Sequence, residues 1–179
     1  MNFRLLRTVA VLFVIGLATG CAAPARIDGM VAGHQTHHDP STSFLQNAIT
    51  VEQVTGGRDT NPLWTSQVDS TSFRVALERS LDSAGLLASG RLNGYWLSAE
   101  LLRLDQPVFG AAMTVTASVR YRLVDVITGE QIYQRVIERP YTAQFGDAFI
   151  GTERLKLANE GAIRANIEML IGDLFALNQ

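Results

Sequence analysis

Few residues in this 179-residue chain are of a type that does chemistry by itself. All three histidines fall in one segment, Gly33-His34-Gln35-Thr36-His37-His38-Asp39, and Cys21 is the single cysteine. Imidazoles spaced H-x-x-H-H beside a carboxylate can bind zinc or copper through neutral nitrogens. No fourth ligand with regular spacing follows, and a polar linker accounts for the same residues. From residue 45 onward there is neither histidine nor cysteine. That region therefore holds no Ser-His-Asp or Cys-His nucleophile and no thiolate or imidazole metal site. It also lacks a G-x-S-x-G elbow, a phosphate-binding glycine loop and an H-E-x-x-H sequence.

Carboxylates are the remaining acid–base groups. Glu100 and Glu138 fall in expected strands, and two carboxylates flanking a sugar can hydrolyse it. Arg103, Arg120, Arg122, Arg135 and Arg139 lie on the same strands, however, so cross-strand ion pairs explain these carboxylates. Arg120, Arg122, Arg135 and Arg139 are expected near one end of an uncovered sheet face, where guanidinium groups suit lipid A phosphates or an acidic protein. A solvated charged face is the plain alternative. Trp64, Phe145 and Phe149, with Ile150, are apolar residues in loops. They can anchor a partner or cap the end of a small core.

The opening residues explain the isolated cysteine. Arg4 and Arg7 precede an apolar run from Thr8 to Ala18, then Thr19-Gly20-Cys21. Such an order describes a cleavable signal peptide over residues 1–20. The run is shorter than the roughly 20 residues that cross a bilayer. Ala18-Thr19-Gly20-Cys21 resembles the lipobox of bacterial lipoproteins, in which the cysteine sulfur is acylated and becomes the mature N-terminus. Leucine is usual three residues before the cysteine; here Ala18 holds that place and Leu17 stands one step further out. The resemblance implies lipidation of Cys21. With Ala22 rather than aspartate following, it also implies the periplasmic leaflet of the outer membrane. Covalent acyl chains on Cys21 are then the only added group expected, with no cofactor.

Removing Arg4 and Arg7 from the 15 basic residues leaves 13 against 17 acidic ones, so no basic excess argues for nucleic acid. With one cysteine the fold must rest on its core alone. Residues 21–47 are rich in Ala, Pro, Gly, His, Ser and Thr and show little periodicity. They read as a flexible tether, spanning roughly 30 Å root-mean-square.

Residues 48–179 read as one domain. Strands are expected over 48–54, 95–105, 113–127 and 131–143 from alternation and turn signals. Met113 to Leu123 alternates most cleanly, and Thr128-Gly129 folds its strand into a hairpin. A helix should begin at Asp69 or Ser70 and stop at Gly85, and another should cover 152–177. The second carries a bulky stripe, Ile163, Ile167, Leu170, Ile171 and Leu174, expected on the sheet. Its small-residue seam, with Gly161, is expected against the first helix.

The order β-α-β-β-β-α defines an α+β, two-layer sandwich with a four-stranded mixed sheet and two helices on one face. It resembles the LPS-assembly lipoprotein and TolB amino-terminal type of envelope domain. Three segments are also similar to a group of uncharacterised proteobacterial lipoproteins: Asn61-Pro62-Leu63-Trp64-Thr65-Ser66, Phe73-Arg74-Val75-Ala76-Leu77-Glu78-Arg79-Ser80-Leu81, and Leu157-Ala158-Asn159-Glu160-Gly161-Ala162-Ile163-Arg164. That resemblance implies fold and location and brings no catalytic residues. Three readings stand: a non-enzymatic accessory or assembly factor that binds an envelope protein or lipid, a carboxylate-dependent enzyme acting on envelope glycans or lipids, and a metal-binding histidine tether.

Overall fold

The computed structural model describes residues 22–33, 40–61, 65–90 and 94–177. Residues 1–20, Cys21, His34, His37, His38 and Trp64 lie outside the described residues. Strands β1 (Ile49–Thr55), β2 (Tyr95–Asp105), β3 (Met113–Asp125) and β4 (Gln131–Ala143) form one sheet in the order β1-β2-β3-β4. Helices are α1 (Ile27–Met30), α2 (Ser70–Ser83) and α3 (Gly151–Ala176). β1 runs parallel to β2, with α2 as the crossover, and the other two pairings are antiparallel. The expected α+β class and element order are those observed, with α1 added.

Local chemistry explains each boundary. α2 starts where the Asp69 carboxylate accepts a hydrogen bond from the Ser72 amide at 2.8 Å. Partial burial pushes the Asp69 carboxyl up, and the hydrogen bonds from Ser72 outweigh it, holding the carboxyl below its usual range. Between β3 and β4, Asp125 accepts from the Ile127 and Thr128 amides at 2.8 and 2.9 Å. Gly129 completes that turn at φ 72°, a conformation that favours glycine.

The core lies between the sheet and its helices. Met113, Val115, Ala117, Val119, Tyr121 and Leu123 face inward from β3 and are buried. Ile163, Ile167, Leu170, Ile171 and Leu174 of α3 are buried in the same cluster, as are Phe73, Leu77 and Leu81 of α2. Full burial of each large side chain is worth about 1.5–3 kcal/mol before the entropy of ordering is set against it.

Two packing expectations need correction. Gly161 makes room for a β4 side chain, not for a second helix: a Cβ there would lie 2.2 Å from the Tyr141 ring. The flexible coil expected over 22–47 is also not what its described residues form. Ala22, Ala25, Met30 and Ala32 are buried, and so is Leu45 ahead of β1. Glu160 of α3 accepts from the Arg26 amide at 2.8 Å and from its guanidinium at 3.2 Å. Arg164 donates to the Gly29 carbonyl at 2.7 Å, Arg79 to Asp28 at 2.8 Å, and the Ala32 amide to the Ser80 hydroxyl at 2.9 Å. The segment 22–33 is thus strapped between α2 and α3.

Candidate functional site

The face of the sheet opposite the helices is open. Directly paired residues on neighbouring strands share a face, so the register defines two polar rows across it. One is Gln53, Ser98, Arg122 and Gln134; the next is Thr55, Glu100, Arg120 and Val136. All but Val136 line a shallow depression of about 250 Å³. Arg120 is held to Glu100 at 2.5 Å. Ser98 donates to Glu52 at 3.3 Å from the adjoining β-bulge of β1. Arg122 is exposed, and among the described residues no hydrogen bond or ion pair engages its guanidinium.

The expected four-arginine cluster is not formed. Arg135 pairs with Tyr121 and Arg139 with Ala117, both inward-facing residues, so these arginines point to the helix side of edge strand β4. Arg135 reaches α3, donating to both oxygens of Asp173 at 2.8 Å. The Tyr133 hydroxyl donates to the same carboxylate at 2.6 Å. Burial first, then the hydrogen bond to Asp173, push the Tyr133 phenol well up. Of these four, Arg120 and Arg122 remain on the open face.

The carboxylates named for hydrolysis are committed elsewhere. Glu100 is engaged by Arg120, and Glu138 accepts from the Ser118 hydroxyl at 2.9 Å. They sit in separate rows, with β3 between them. Among the described residues no group of three His, Cys, Asp or Glu side chains could hold a metal ion. Nor is any described helix long and apolar enough to cross a membrane.

A second surface lies at the end of the sheet where β2 leaves, β3 enters and α3 begins. Phe145 and Phe149 meet edge to face with ring centroids 5.4 Å apart, and both are exposed. Arg154 is buried beneath them: it donates to the Ala148 and Phe149 carbonyls at 2.7 and 2.9 Å, and across to Gly110 at 3.1 Å. Its guanidinium also covers the Phe145 ring at 5.1 Å. One arginine therefore fixes the 144–150 loop to the 106–112 loop. The second loop presents Val108 and Phe109, which sequence reasoning passed over. Their signal was available: Pro107-Val108-Phe109-Gly110 sets two large apolar residues between turn formers.

Neither a family model nor a curated protein sequence matches this chain. Its fold is similar to solved structures. A Xanthomonas campestris protein of the DUF330 family model superposes with TM-score 0.54 at 12% identity, covering 74% of this chain and 85% of that one. A candidate lipoprotein from Caulobacter crescentus CB15 superposes with TM-score 0.50 at 17% identity, covering 76% of this chain and 93% of that one. At these identities the likeness is one of fold.

Proposed function

We propose that this chain is an envelope lipoprotein, acylated at Cys21 and held at the periplasmic leaflet of the outer membrane. Its domain is a non-enzymatic accessory or assembly factor that binds an envelope protein or lipid on the open sheet face. The observation that carries the binding half is Arg122, an exposed guanidinium with no partner among the described residues, inside a polar depression four strands wide. A fork of donors left free beside Gln53 and Gln134 suits a carboxylate or a phosphate. The lipobox-like ending at Cys21 supports the anchor, and Ala22 in place of an aspartate after it supports the outer membrane. Likeness in fold to a candidate lipoprotein is in keeping with this reading. The resemblance to LPS-assembly and TolB amino-terminal domains supports the assembly role.

The test pairs two variants of the full chain in cells. Cys21→Ser should lose fatty-acid labelling and leave the membrane fraction. A photocrosslinking residue at position 122 should capture a discrete envelope component, and the same residue at Thr128 in the hairpin turn should not. Membrane attachment that survives Cys21→Ser would overturn the anchor. Equal capture from both positions, or none from position 122, would overturn the binding face.

A further inference from the structure

The end of the domain that carries the exposed apolar loops is also the end from which the chain leads back to Cys21. The Ala25 amide donates to the Gln67 carbonyl at 3.2 Å. The Gln67 side chain in turn donates to Gln106 at 3.2 Å, two residues before Val108. Gln106 and Asn159 both donate to the Ser66 carbonyl, at 2.8 and 3.0 Å, closing the network onto α3. From Ala25 the strap runs away from this end, meeting Glu160 through Arg26 and then Arg164 through Gly29. On the α2 side its last bond goes to Ser80, in the third turn of that helix. Ala22 therefore lies at the loop end, and it follows Cys21 in the sequence. Ala22 is three positions before Ala25 and its bond to Gln67, a reach of roughly 10 Å.

Around that exit the surface is apolar to a degree unusual for a soluble face. Val108 is 92% exposed, Phe109 85% and Phe149 80%, with Phe145 and Ile150 about half exposed. At the opposite end Ile127 is the one comparably exposed large apolar residue among those described, and Phe44 there packs edge to face on Tyr95. The charges beside the loops balance: Arg154 and Lys156 against Asp147 and Glu153, with Lys156 and Glu153 bonded to each other at 2.6 Å. Such a surface has no electrostatic preference and a strong apolar one. The Arg154 clamp holds both loop tips in place, so little ordering remains to be done on contact.

We propose that these loops form a membrane-docking face: Val108, Phe109, Phe149 and Ile150 enter the phospholipid leaflet beside the acyl anchor, so the domain stands on the bilayer by this end. The proposal rests on acylation of Cys21, which sets the bilayer against this end and leaves no free chain to hold it away. Phe side chains buried at the headgroup–acyl boundary are the usual apolar contribution of interfacial anchors.

The experiment uses the acylated full chain reconstituted in phosphatidylethanolamine/phosphatidylglycerol vesicles. Cys21 is the single native cysteine, so an introduced cysteine is the only free thiol once Cys21 is acylated. An environment-sensitive fluorophore is placed at Phe109→Cys, Phe149→Cys or Ile127→Cys, and quenching by spin-labelled lipid is read. Positions 109 and 149, on separate loops, should be quenched at least threefold more than position 127, with no change when salt is raised. Quenching at 109 and 149 no greater than at 127, on chains that stay with the vesicles, overturns the docking face and leaves the anchor intact. Shielding of 109 and 149 that depends on protein concentration instead of lipid assigns the face to a second copy and equally overturns it. Two labels per chain would show Cys21 unacylated, and both readings then fall.

Discussion

Tyr121 places a phenol at the centre of the covered sheet face, fully buried, and its hydroxyl meets no hydrogen-bond partner among the described residues. Burial, with the neighbouring Tyr133 adding to it, pushes this phenol well above its ordinary value. An unsatisfied buried hydroxyl costs about 1–3 kcal/mol, whereas Phe keeps the ring and drops the cost. Tyr121→Phe should therefore raise stability by about 1 kcal/mol at neutral pH, read as a higher urea midpoint with unchanged slope. The alkaline limb gives a second readout. Tyr121 and Tyr133 are both raised in the folded state, so the unfolded chain loses these protons first. Their stabilisation is complete below the unfolded tyrosine value of about 10 and is lost as pH rises from there toward the folded values. The variant should decline less steeply between pH 9 and about 11.5. A loss of stability at neutral pH, or an unchanged alkaline slope, would contradict the assignment.

Among the elements, the strap 22–33 has most to reveal, because its hold comes from across the chain. Glu160 lies 134 residues from Arg26 and is 3% exposed at its side chain, whereas the Arg26 side chain is 62% exposed. The exposed partner screens the pair, so Glu160→Gln should cost about 1 kcal/mol globally. Local opening should change more. Amides of Val31 and Ala32 should exchange faster, and trypsin should cut after Arg26 in the variant before it cuts the parent chain. Unchanged protection at all these sites would mean that the strap is held without Glu160, by burial of Met30 and Ala32 and by its bonds to Arg164, Arg79 and Ser80. The same element shows what a single sequence conveys. Strands β2 and β4 and the N-terminus of α2 were legible, since two-residue alternation, turn formers and an Asp69 cap are local signals. A four-residue helix carries no periodicity, and its partners are residues that only the fold brings near. The arginine faces failed for a related reason. A register shift between Leu123 and Val124 changes which residues of β4 point inward, and only Ile137 and Ala143 of that strand are buried enough to reveal it.

Taken whole, the molecule is a sheet covered by helices on one face, and with the proposed acylation of Cys21 and docking by the loop end the domain stands on the bilayer by that end. Thirteen residues of β3 span roughly 40 Å, so in the proposed orientation the Thr128–Gly129 turn would stand about that far from the leaflet, with the row through Arg122 facing sideways. Geometry of this kind selects partners by height as well as chemistry, because a short, stiff attachment limits what the open face can reach. Energy transfer from a donor at Thr128→Cys to acceptors in the bilayer tests it. In the acylated parent chain, transfer should be weak and uniform, as a fixed height demands. Inserting 20 Gly/Ser residues between Cys21 and Ala22 adds a coil of roughly 25 Å root-mean-square, enough for the domain to tip. Mean transfer should then rise and its distribution broaden, with membrane attachment unchanged. Identical transfer from the two chains would show that the short attachment does not orient the domain, and the height argument would fall with it.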